Sequence, residues 1–143
     1  IYGSPTSNFE IWKQNLQKTI ELQVPHVSSY ALTIEPKTAL NAWIKKNKIS
    51  KPEESTQNKE FYYLSDFLKD NGFIHYEISN FAKKDFESKH NSAYWKYKEY
   101  LGIGPSAHSY NGRNQRSWNV ANNTKYIKNL AENTLPKETE ILT

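Results

Sequence analysis

Two amphipathic helical patterns, each followed by a short apolar run, limit most strongly what this chain can fold into. In the first, Trp12, Leu16 and Ile20 recur at every fourth residue, which gathers apolar groups on one helical face. Ser7 and Glu10 stand ahead of it at capping-box spacing, and Pro25 ends it. In the second, Phe61, Leu64, Phe67 and Leu68 make the stripe. Ser50 and Glu53 repeat the capping-box spacing, Pro52 sits in the first turn, and Asn71-Gly72 reads as a helix stop. Residues 26–34 and 73–79 are rich in β-branched and aromatic side chains and read as strands, and Ile1-Tyr2-Gly3 reads as the tail of a buried strand. Strand, helix, strand, helix, strand is the order of parallel βα units. It predicts an α/β fold with an open parallel sheet and flanking helices. Parallel sheets are covered on both faces, and so few strands do not close a barrel, so further strands are expected from sequence ahead of Ile1.

The remainder is less periodic. A short helix is expected at 40–44, and residues 80–98 are polar and aromatic without a clear repeat. Residues 100–103 read as a short strand that Gly104-Pro105 breaks, 111–119 as a loop, and Asn122 or Asn123 as the cap of a last helix through Ile127 and Leu130. The aromatic supply is ample, with ten Tyr, six Phe and four Trp to fill a core. The net charge of +4 comes from scattered Lys and lacks the dense basic stripe that nucleic-acid binding needs. No apolar run is long enough to span a bilayer. Cysteine is absent, which excludes disulfides, thiolate nucleophiles and a Cys-held iron–sulfur cluster within the chain. The expected setting is the cytoplasm.

Four stretches carry chemistry. Ile1-Tyr2-Gly3-Ser4-Pro5 and Tyr30 to Pro36 each run from a strand into a turn, where βα folds place ligand-binding groups. Thr33 and Glu35 offer a hydroxyl and a carboxylate there. His90-Asn91-Ser92-Ala93-Tyr94-Trp95 sets an imidazole beside two aromatics, and on a helix His90 and Tyr94 would share a face. Such a group can ligate haem iron while rings pack on the macrocycle; it can equally be a satisfied histidine with aromatics plugging a loop. In Leu101 to Tyr110 the glycines at 102 and 104 permit close backbone approach, and His108 follows just after. His26 and His75 read as packing or edge residues.

Together, Ile1-Tyr2-Gly3-x-Pro5, Thr33-Ile34-Glu35-Pro36, His75 to Lys83, His90-Asn91-x-x-Tyr94-Trp95 and Tyr100 to Tyr110 resemble, in that order, the radical-SAM haem chaperones of the HemW type. These are relatives of the oxygen-independent coproporphyrinogen III oxidases. The resemblance spans nearly the whole chain. It implies part of a (β/α)6 partial TIM barrel, with residues 1–110 as the C-terminal half of that barrel and 111–143 as a loop and helix leading into a C-terminal extension. It implies haem, S-adenosyl-L-methionine and a [4Fe–4S] cluster in the whole protein, the cluster on a Cys-rich N-terminal loop that this chain does not contain, so that radical chemistry is not expected of the chain alone. His90, Asn91, Tyr94 and Trp95 are the implied haem residues, with His90 as the candidate ligand to iron. Thr33 and His108 fall in the implied vicinity of S-adenosylmethionine. The implied partners are haem or porphyrin and apo-haemoprotein acceptors, and the alternative activity is oxidative decarboxylation of coproporphyrinogen III.

Overall fold

The structure, a computed structural model, describes residues 1–142. Contacts divide the chain into two compact units, Ile1–Glu87 and Ser88 onward.

The first unit contains α1 (Phe9–Glu21), β1 (His26–Ser28), α2 (Ala39–Lys45), α3 (Glu54–Asp70), β2 (Ile74–Glu77) and β3 (Asn80–Ala82). Both long helices fall where the apolar stripes place them. Their caps differ from the expected boxes. Asn8, not Ser7, accepts from the Ile11 N–H at 2.9 Å, and α3 is preceded by Glu53 with no side-chain cap. Pro52 disfavours helical backbone at the residue before it, which delays the helix past Ser50. Trp12, Leu16, Leu64, Leu68, Phe73 and Phe81 form the core. Leu64 and Leu68 are wholly buried, each stabilising the unit by about 1.5–3 kcal/mol.

The expected parallel sheet is present at one point. Tyr2 and Ala31 form a parallel bridge: the Tyr2 N–H donates to the Tyr30 carbonyl at 3.0 Å and the Leu32 N–H to the Tyr2 carbonyl at 2.8 Å. With α1 between them, these two strand ends are a βα crossover. The named strands instead pair antiparallel, in the order β1-β3-β2. The cause is local. Only Ile78 and Ser79 separate β2 from β3, and a two-residue connection can join only antiparallel strands. Residues 26–34 are accordingly not one strand, since β1 ends at Ser28.

The second unit holds α4 (Lys89–Trp95), β4 (His108–Tyr110), β5 (Gln115–Asn119), α5 (Asn123–Ala131) and β6 (Lys137–Ile141). Its sheet is antiparallel in the order β4-β5-β6. Residues 115–119 are thus a strand and not a loop. Asn111 makes the turn: its Oδ1 accepts from the N–H groups of Arg113, Asn114 and Gln115 at 2.9, 3.1 and 3.0 Å, a side chain standing in for backbone partners. The expected strand at 100–103 shrinks to one bridge, Tyr100 to Tyr110. Asn122 caps α5 as foreseen, accepting from the Lys125 N–H at 2.9 Å.

Candidate functional site

The motif at 90–95 lies on α4. Ser88 caps this helix through its Oγ, which accepts from the Asn91 N–H at 3.2 Å. The backbone of Asn91 is therefore used in the cap, and its side chain is half-buried. The i, i+4 relation brings His90 and Tyr94 together as expected. His90 Nε2 lies 3.0 Å from the Tyr94 hydroxyl, with ring centroids 4.9 Å apart and nearly perpendicular. Tyr94 in turn meets Tyr100 edge-on at 4.7 Å, and Tyr100 lies 6.2 Å from Tyr110. An aromatic row thus leads from the helix to the start of the hairpin. His90, Tyr94 and Trp95 are all exposed, Trp95 by 55%. An exposed imidazole beside an exposed tyrosine ring suits a flat apolar ligand that takes one axial nitrogen.

His108 is exposed on β4, its ring 6.0 Å from that of Trp118. Gly102 lies against its backbone: a side chain at 102 would run into the His108 carbonyl. Gly102 therefore marks close approach of protein backbone to protein backbone, whereas a Cβ at Gly104 would meet open space and that glycine serves a left-handed φ of +102°.

Thr33 belongs to the first unit and is exposed, one residue beyond the strand end at Leu32. The Leu32 carbonyl accepts from Gln57 Nε2 of α3 at 3.0 Å. At the neighbouring strand end Gly3 has φ +72°, and its N–H donates to Glu60 Oε2 at 2.6 Å. Glu60 is only 2% exposed, and its main-chain carbonyl accepts from Trp12 Nε1 at 3.0 Å. Beside it, burial and then the Glu60 charge push the Tyr2 hydroxyl above its ordinary pKa. Sequence reasoning passed over Glu60. The signal was there: 60, 64 and 68 share one face at intervals of four, so a carboxylate stands on the apolar stripe. His26 and His75 pack as expected, His26 Nε2 lying 2.7 Å from the Tyr76 hydroxyl and His75 stacking on Phe81 at 4.1 Å. A cavity of about 300 Å³ lined by Ser65, Lys69, Phe73, Ile74, His75 and Phe81 includes none of the expected site residues.

No protein-family model matches the chain. Among curated proteins it is 39% identical over 110 residues to heme chaperone HemW of Lactococcus lactis, covering 77% of this chain and 29% of that protein. It is 32% identical over 136 residues to heme chaperone HemW of Bacillus subtilis, covering 95% and 36%. The mouse radical S-adenosyl methionine domain-containing protein 1, mitochondrial, is 39% identical over 108 residues, covering 76% and 24%. The chain thus spans between about a quarter and a third of the length of these relatives. Among solved structures, Escherichia coli coproporphyrinogen III oxidase (HemN), described as a radical SAM enzyme, superposes with a TM-score of 0.74 over 99% of this chain and 35% of that one, at 20% identity. At that identity the likeness speaks to fold, and it places the chain's α/β course within a radical-SAM fold.

Proposed function

The chain belongs to the HemW haem-chaperone family, and from that premise we propose that it supplies the haem-contacting segment of a carrier that takes up haem and passes it to apo-haemoproteins. The observation that carries the reading is the exposed His90–Tyr94 pair on a capped helix that also carries the exposed Trp95. If His90 Nε2–H donates to the Tyr94 oxygen, Nδ1 keeps the lone pair for iron, and the tyrosine fixes the tautomer and the ring. The rim of Tyr94 then offers the porphyrin face an apolar edge, and the exposed Trp95 on the same helix offers a second ring for it to pack on. An exposed site suits a cargo that must leave again. In this reading the carrier works in the cytoplasm.

The family's other groups divide between fit and misfit. S-adenosylmethionine fits what the first unit presents to the extent that Thr33 is an exposed side chain able to hydrogen-bond a polar ligand. When bound in the whole protein it would supply a 5′-deoxyadenosyl group, and Thr33 of the first unit would hold it through its hydroxyl. The [4Fe–4S] cluster does not fit this chain, which has no thiolate to ligate iron, so no radical step is assigned to these residues. The oxidase alternative, oxidative decarboxylation of coproporphyrinogen III, has the fold likeness to HemN behind it.

The test is His90→Ala in the whole protein, with the Soret spectrum, haem affinity and thermal melt read on the same sample. The expected result is a shifted Soret band and affinity lower by about tenfold or more, with a smaller loss in Tyr94→Phe. An unchanged spectrum and affinity in a less stable protein would defeat the haem reading and leave His90 as a packing residue.

A further inference from the structure

Among the described residues Glu60 is the one charged side chain in the buried set. A carboxylate in a core costs stability unless it is hydrogen-bonded, and an apolar residue at this point of the α3 stripe would bury more apolar surface. What Glu60 does there is geometric. Its Oε2 receives the Gly3 N–H at 2.6 Å, a charge-assisted bond. One turn earlier on α3, Gln57 Nε2 donates to the Leu32 carbonyl at 3.0 Å. The same Gln57 side chain fills the space that a Cβ at Gly3 would occupy, and the left-handed φ of Gly3 favours glycine independently. Tyr2 and Ala31, the residues next to these two anchor points, are bridged to each other. One helix therefore grips two adjacent parallel strand ends, by a carboxylate on one and a carboxamide on the other.

We propose that Glu60 and Gln57 are positioning residues that set the Gly3 bend and the Leu32–Thr33 segment for a ligand bound at that end of the strands. The proposal rests on the reading of Thr33 as an S-adenosylmethionine contact, and the adenosyl ligand is the probe that tests it. Glu60 acts on the backbone of the Gly3 bend. Gln57 acts on the peptide that leads into Thr33, so the threonine hydroxyl inherits its position from α3.

The experiment measures S-adenosylmethionine affinity by equilibrium dialysis, and the thermal melt, in the whole protein loaded with its cluster. The variants are Glu60→Ala, Glu60→Gln, Gln57→Ala and Thr33→Val. Glu60→Ala and Gln57→Ala are expected to weaken binding about tenfold at a temperature well below the melt. Glu60→Gln keeps an acceptor oxygen for Gly3 and is expected to restore most of it. If Glu60→Ala fails to fold, the half-buried Gln57 carries the test alone. A lowered melt with unchanged affinity in both alanine variants overturns the proposal, as does a glutamine variant no better than alanine. Weakened binding in Thr33→Val with none in the α3 variants overturns the proposal and leaves the Thr33 reading standing. Weakened binding in the α3 variants with none in Thr33→Val defeats the Thr33 reading and, with it, the proposal as stated. A wild-type protein that does not bind the ligand defeats both.

Discussion

Tyr2 shows how one buried carboxylate reaches its neighbours. Burial and the Glu60 charge both favour the neutral phenol and raise its pKa above 10.0. A group whose folded pKa lies above its unfolded one leaves stability intact below the unfolded value. Stability then falls as pH climbs from about 10 through the folded value. The thermal melt of the chain is thus expected to drop more steeply above about pH 10 than that of Tyr2→Phe. Equal alkaline slopes for the two would show that Tyr2 contributes nothing to this loss. Residues of this kind separate what the sequence reveals from what it hides. The His90–Tyr94 contact was legible because spacing of four on any helix produces it. Glu60 was not read, although its spacing marked it, because an acid on a helix is ordinarily solvated. Whether it turns inward depends on what lies opposite, and here that is the N–H of a glycine 57 residues away.

At the scale of elements, α4 is the one on which the proposed site stands, and it is weakly held. It has seven residues, none of them buried, so its first-turn cap matters more than it would in a packed helix. Ser88→Ala is expected to cost about 1 kcal/mol and to lower the helical content of 89–95, which NMR secondary shifts would register. Shifts unchanged in that segment would mean that the cap is dispensable. The helices were read well because a stripe four residues apart is a property of the segment itself. The strands were read poorly for the opposite reason. A strand is completed by its partner: β3 is only three residues long, and β5 and β6 are short polar or charged segments, such as Lys-Glu-Thr-Glu-Ile in β6, whose pairing the sequence does not announce. The tight turn at Ile78-Ser79 lacks the Gly or Asn that usually advertises a hairpin, so the change from parallel to antiparallel went unseen.

At the scale of the whole molecule, the two units differ in how they are held. The first has a closed apolar core of six buried residues. In the second, Leu101, Ile103 and Leu135 are each at least three-quarters exposed, and neither of its helices buries a residue. Stability follows buried apolar contact, so hydrogen exchange of the chain is expected to be slowest at the amides of Leu64, Leu68 and Phe81. The amides of α5 are expected to exchange orders of magnitude faster. Comparable protection in both units would refute this division.

The span of the Gly3–Glu60 bond bears on how the chain reaches its structure. The hairpin ladder of β4 and β5 closes over the few residues around Asn111, a step that involves little loop entropy. The Trp12 and Gly3 contacts to Glu60 join points 48 and 57 residues apart, and nothing holds them until α1 and α3 have met. Contacts of such separation slow the search for the native state. The ladder of the second unit should therefore assemble early, and the strand-end grip of the first should be among the last features of its own unit to lock.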